Sequence, residues 1–287
     1  MHKKMHTADN LLEGLLCLIA LCLCAVILYP ILNILAISLS GDGYVLRNEV
    51  RLLPKGFTLK AYGDVLQNKE ILRAFANSIY ITAVGGVLSV VATFVAAYPI
   101  ACCEFHGKKL YNIFVLIPMW FQGGMIPAYL CIQKLHLLNS YWSLILAALI
   151  SSYHVLILTS FLRGIPKELL ESARMDGAGE FQVMLWIVAP LTKAAFATIG
   201  LWVIAAHWNA FFAPLLYISE SSKYTLQQVL REIVLEANAA RLDIGTARPG
   251  QASVNLADQI RYAVLLVSML RSVYKELHAD HETGAAD

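Results

Sequence analysis

The chain has 287 residues, of which 58% are hydrophobic and 15% charged, with a formal net charge of +2. Soluble domains carry about 25% charged residues, so this composition, with a mean hydropathy of +0.61, excludes an ordinary soluble domain and predicts an all-α polytopic membrane protein. No basic face interleaved with aromatics is present, which argues against a nucleic-acid partner, and the length suits a single helical membrane domain.

Residues 1–10 are polar, with Lys3 and Lys4; residues 11–39 are almost wholly apolar. A cleaved signal peptide has a shorter apolar core and a small-residue cleavage site. The run also exceeds the roughly 20 residues needed to span, so it predicts an uncleaved first span with a kink at Pro30. Residues 40–75 form a mixed polar loop, in which residues 57–62 read as a short surface helix or an ordinary turn. The second span is predicted over 76–102. It opens on Asn77 and Ser78 and carries Gly85 and Gly86, which permit close helix contact in lipid. A basic patch of His106, Lys108 and Lys109 follows. The third span, 111–130, is interrupted by Pro118, Gly123, Gly124 and Pro127, so an irregular segment lining a cavity or packed on protein is expected there. The fourth span is predicted over 139–162, with Asn139 and Ser140 as its cap.

Residues 163–193 form a polar connector between apolar runs, and a polar connector must lie outside the hydrocarbon. Pro166 suits the first turn of a helix, with Glu168 and Glu171 near the positive end of its dipole. Leu169 and Ala173 make a narrow apolar side, and Glu171 with Arg174 forms an i, i+3 pair. Gly177 is a left-handed stop. A second helix follows, with Phe181, Met184, Leu185 and Val188 on one stripe and Pro190 bending or ending it. This helical pair reads either as a docking site for another protein or as a helix lying flat on the bilayer.

The fifth span, 194–218, contains His207, Trp208, Asn209 and Pro214. Polar groups inside a span are costly, and ligand contact or interhelical hydrogen bonding accounts for them. Residues 224–236 read as a helix with Leu226, Val229, Leu230, Ile233 and Val234 on one side. The sixth span, 256–274, is short, with Arg271 snorkelling, and the tail 271–287 is polar and acidic. The six cysteines, Cys17, Cys22, Cys24, Cys102, Cys103 and Cys131, have no metal-ligand spacing and read as small buried hydrophobes. No cofactor is expected.

Glu171-x-Ala173-x-x-Asp176-Gly177-Ala178, followed by Phe181, Ile187 and Pro190, resembles the "EAA" loop of permease subunits in binding-protein-dependent ABC importers. Ser172 replaces the middle alanine, and Ala194 stands where relatives often carry proline. The resemblance covers 77–260 and is nearest to carbohydrate permeases of the complex-oligosaccharide branch. Asn77-Ser78, the stretch Phe121-Gln122-Gly123-Gly124-Met125-Ile126-Pro127, and His207-Trp208-Asn209-x-Phe211-Phe212 carry it further. The end of the chain departs from the family, whose members continue with a longer apolar run. The resemblance implies about six spans, with a cytoplasmic coupling helix between the fourth and fifth. Both termini are then cytoplasmic, in a bacterial plasma membrane. It implies a second permease, ATPase subunits and an extracytoplasmic solute-binding protein as partners, and a sugar or oligosaccharide as substrate. Glu171, Ala173, Asp176, Gly177, Phe181 and Pro190 are the expected coupling residues.

The chain lacks G-x-x-x-x-G-K-[ST] and so cradles no nucleotide phosphate by that route. No nucleophile–base constellation stands out, and no carboxylate pair lies within a span. These absences argue against an intramembrane enzyme and against a proton-driven secondary transporter. A membrane scaffold whose loop merely binds lipid is the other alternative. Candidate pathway residues are Asn77, Gln122, Trp208 and Asn209, because amides hydrogen-bond sugar hydroxyls and an aromatic face suits a sugar ring; packing is the competing role for each.

Overall fold

The computed structural model describes residues 2–47 and 49–243. The predicted sixth span (256–274) and the acidic tail (271–287) lie outside the described residues. The described chain is helical, with no strand among the described residues. It divides into two units, one of residues 1–71 and 230–287 and the other of residues 72–229.

In the first unit, α1 (His2–Ser38) contains Pro30 and presents Leu21, Val26 and Ile27 outward, as a lipid-facing span requires. The expected loop after it is ordered. Helix α2 (Asp42–Leu46) follows, and α3 (Lys60–Gln67) is bonded to the end of α1. The Ser38 hydroxyl meets the Tyr62 hydroxyl at 2.9 Å, and Ser40 Oγ accepts from the Lys55 N–H at 3.0 Å. Of the helix or turn expected over 57–62, a helix forms only from Lys60; Thr58 Oγ1 accepts the Lys60 N–H at its start.

The second unit is organised on α4 (Lys69–Cys102), whose residues from Leu72 onward belong to it. The third predicted span is two helices, α5 (Lys108–Trp120) and α6 (Met125–Lys134), bent by 117°. Gly124, at φ +82°, makes the turn between them, a conformation that costs a glycine little. The fourth predicted span is likewise broken, into α7 (Tyr141–Ala147) and α8 (Ser152–Leu162), at 51°. No glycine or proline marks that break. Hydroxyls tie the break to other helices instead: Ser89 of α4 donates to the Ala148 carbonyl at 3.4 Å, and Ser152, at the start of α8, donates to the Val115 carbonyl of α5 at 2.7 Å. Ser140 caps α7 as expected, accepting the Trp142 N–H. Asn139, at φ 59°, instead bonds the end of the fifth span: its N–H donates to the Tyr217 carbonyl at 2.7 Å.

The connector folds as α9 (Lys167–Met175) and α10 (Glu180–Leu191), and α11 (Lys193–Asn209) departs from α10 at 80°. The fifth predicted span therefore ends early. A break at Ala210–Phe211 precedes α12 (Phe212–Tyr217), and α13 (Leu226–Asp243) follows. By length and hydropathy, two described helices are able to cross a membrane, or up to five segments when each bent pair counts as one.

One apolar core joins α4, α8, α11 and the connector, while Ile81, Ile132, Leu144, Ile145, Tyr217 and Ile218 form another around α6, α7 and α12. Phe94, Ala97, Tyr98 and Ile100 of α4 pack with Val155, Leu158 and Leu162 of α8, and with Ala195, Ile199 and Val203 of α11. Leu170 and Ala173 of α9 and Val183, Met184 and Val188 of α10 belong to the same core. The connector is thus built into the helical bundle on its apolar side.

Candidate coupling loop and its mounting

Pro166 sits just before α9, as its N-cap at ψ 128°, rather than inside its first turn. Leu170 and Ala173 are the buried pair; Leu169 points outward, so the expected Leu169–Ala173 side is displaced by one residue. Glu171, Met175 and Asp176 are exposed. The helix closes on Gly177, at φ +85°. Gly177 N–H donates to the Arg174 carbonyl and Ala178 N–H to the Ala173 carbonyl, each at 3.0 Å. This is the Schellman arrangement, which a left-handed glycine permits. Gln182 then reaches back to accept the Gly179 N–H at 2.9 Å, opening α10.

Within α10, residues Val183–Val188 form a π segment. Its i→i+5 bonding changes the phase of the predicted stripe. Met184 and Val188 are buried as expected, but Val183 joins them, while Phe181 and Leu185 are exposed. Met175 is 88% exposed, Trp186 80% and Phe181 69%, the most exposed of the connector's large apolar side chains. Pro190 is exposed one residue before the end of α10. Of the expected coupling residues, Glu171, Asp176, Gly177, Phe181 and Pro190 are therefore exposed. Ala173 faces the core and holds the α9–α10 turn through its carbonyl.

Arg174 does not take Glu171 as its partner. Its Nε lies 2.8 Å from Glu180 Oε1, and its Nη2 donates to Glu180 Oε2 at 3.3 Å and to the Cys102 carbonyl at the end of α4 at 2.9 Å. The guanidinium fork reaches several acceptors at once, whereas an exposed Glu171 pair would contribute only a few tenths of a kcal/mol. Tyr98 of α4 donates to Glu180 Oε2 at 2.8 Å, and the Cys103 thiol approaches it at 3.6 Å. The Arg174 hydrogen bond, helped by Tyr98 and Cys103, holds the Glu180 carboxyl below the usual carboxylate range, against a smaller opposing effect of burial.

The proposed pathway residues lie in different settings. Asn77 Nδ2 donates to the carbonyls of Ser222 at 3.1 Å and Tyr224 at 3.0 Å, while Ser78 Oγ accepts the Leu226 N–H at 2.8 Å. Asn77 thereby clamps the segment before α13 onto α4. Trp208 packs edge-on against Phe75, with centroids 5.9 Å apart. Gln122 is exposed in the α5–α6 turn, and Asn209 Nδ2 caps back to the Ala205 carbonyl at 3.0 Å. His207 is set against Gly85, and its buried Nε2 has no partner among the described residues. A cavity of about 310 Å³ lies beside it, with Ser89, Ser151, His154 and Thr225 among its polar lining.

Asn77→Asp tests the clamp, because a carboxylate has no N–H to offer two carbonyls. The variant is expected to lose about 2 kcal/mol of stability, read as a lowered thermal midpoint of the purified protein. An equally stable variant that transports poorly would instead assign Asn77 to substrate.

Residues 75–255 match the family of binding-protein-dependent transport system inner membrane components. The chain belongs to that family. This permease is 37% identical over 246 residues to protein LplC of Bacillus subtilis strain 168, covering 86% of this chain and 82% of that one. It is 31% identical over 267 residues to the polygalacturonan/rhamnogalacturonan transport system permease protein YtcP of the same organism, covering 93% and 91%. A solved chain from a bacterial ABC transporter involved in the import of the acidic polysaccharide alginate shares its fold, with a TM-score of 0.85 at 24% identity, covering 96% of this chain and 97% of that one. The permease is thus a membrane transport component of the ABC-importer type, helical among its described residues and a transport permease rather than an enzyme by family.

Proposed function

We propose that this permease forms half of the membrane pathway of an ATP-driven importer for a sugar or oligosaccharide. A second permease completes the pathway, ATPase subunits dock on the cytoplasmic side, and an extracytoplasmic binding protein delivers the substrate. The substrate class rests on the relatives, one of which is named for polygalacturonan and rhamnogalacturonan transport. The single observation that carries the coupling role is the α9–α10 connector. Its apolar side is part of the bundle core, and its other side offers Glu171, Asp176 and Phe181. ATP-driven closure of the ATPases displaces this lever, and the shared core passes the displacement to α4, α8 and α11. In this reading the connector 163–193 is cytoplasmic and follows four crossings, both termini are cytoplasmic, and 256–274 supplies the sixth crossing of a single permease domain.

The test is purification of the tagged permease from its own membrane, with mass spectrometry of what is retained. A protein bearing G-x-x-x-x-G-K-[ST] is expected, and Glu171→Lys is expected to reduce its recovery severalfold. Labelling of the connector by an impermeant reagent added outside sealed cells would contradict the reading, because no cytosolic ATPase then reaches it.

A further inference from the structure

We propose that Arg174, Glu180 and Tyr98 form a joint that makes the lever and α4 move as one body, and that this joint sets how much substrate moves per ATP hydrolysed. The inference deepens the coupling function just proposed and rests on it. The three residues come from three helices: Arg174 from α9, Glu180 from α10 and Tyr98 from α4. One carboxylate receives all the bonds between their side chains, at 2.8 Å from Arg174 Nε, 3.3 Å from its Nη2 and 2.8 Å from the Tyr98 hydroxyl. The same guanidinium also takes the Cys102 carbonyl, at the very end of α4.

The hydrophobic effect is non-directional, so a packed core resists separation of its helices but allows small sliding movements between them. Hydrogen bonds with fixed donors and acceptors resist sliding, because they weaken steeply with angle and distance. The bonds therefore add to the core the one property that apolar contact lacks. They also hold the α9–α10 turn, because Arg174 and Glu180 lie on either side of Gly177. The cluster is not what keeps the chain folded. The Arg174 and Glu180 side chains are 34% and 54% exposed, and ion pairs in such settings contribute little to stability. Its loss is expected to change motion more than folding. These are positioning residues; none touches substrate.

The experiment uses the complete importer, with its ATPase and binding protein, reconstituted in liposomes. Substrate uptake and ATP hydrolysis are measured together for the unaltered protein, Glu180→Gln and Tyr98→Phe. Glu180→Gln is expected to keep its ATPase and hydrolyse ATP at nearly the normal rate while uptake per ATP falls about tenfold, within the usual range of coupling effects. Tyr98→Phe removes a single hydroxyl and is expected to show a smaller fall of the same kind. A merely structural role would lower the amount of assembled complex and leave the ratio unchanged. An unchanged ratio in the assembled variants overturns the joint, and if Glu180→Gln fails to assemble, Tyr98→Phe alone decides it. Failure of the unaltered permease to retain an ATPase would instead overturn the parent reading, and the joint with it.

Discussion

Gly177→Pro is expected to abolish retention of the ATPase, whereas Gly177→Ala weakens it only slightly. Gly177 holds φ at +85°, and a proline ring fixes φ near −65°. The substitution also removes the N–H that donates to the Arg174 carbonyl. Asp176, before it, sits at φ −73° and ψ 2°, and a following proline disfavours conformations of that kind. All three effects fall on the turn that sets the angle between α9 and α10. A local cost of about 3 kcal/mol is enough to open that turn while the helices on either side keep their buried residues. Alanine meets a different situation. A Cβ on Gly177 encounters nothing within 4 Å, so the only cost is the left-handed backbone, about 1 kcal/mol. Co-purification of the ATPase, normalised to permease recovered, measures both variants. Normal retention by the proline variant would remove the connector from the coupling role.

Gly85→Val is expected to destabilise the permease by about 2 kcal/mol, as overpacking does, and removal of the His207 ring is expected to restore much of the loss. A Cβ at Gly85 would lie 3.0 Å from both Cε1 and Nε2 of His207 and 3.4 Å from its Cδ2. Three atoms of a planar ring cannot all yield by a small rotation. At the next position, a Cβ on Gly86 would meet Ile204 Cγ1 at 3.3 Å. The glycine pair therefore lets side chains of α11 lie close against the backbone of α4, as small residues allow in membrane helices. His207→Ala alone should cost little hydrogen bonding, because the buried Nε2 has no partner among the described residues. The measurement is the thermal midpoint of the purified protein for the two single variants and the double variant. Residues in contact give interaction energies of about 0.5–3 kcal/mol in such a cycle. Strict additivity would mean that the two helices do not bear on each other through this pair.

The connector shows how far local sequence carries. Gly177 was legible as a left-handed stop because only the few residues around it decide that conformation. The apolar phase was not. A one-residue shift puts Leu170 inside in place of Leu169, and the π segment brings Val183 in and turns Phe181 and Leu185 out. Arg174 has Glu171 at hand in the sequence, yet it chooses Glu180 and the Cys102 carbonyl. Nothing nearby in the chain announces an acceptor 72 residues away. Asn77 shows the same limit: its amide reads equally well as a sugar contact or a clamp until Ser222 and Tyr224 are seen beneath it.

The amino-acid order alone determined the all-helical membrane class, the polar connector among apolar runs and its glycine turn, because hydropathy and backbone preference are properties of short stretches. Only the tertiary structure decided that the fourth span breaks, which face of the connector is buried and who partners Arg174. At the break after Ala147, Ser89, far back in the chain, supplies a hydroxyl to the Ala148 carbonyl. In lipid a backbone group without water must find a partner within the protein, and which residue provides it is settled by packing.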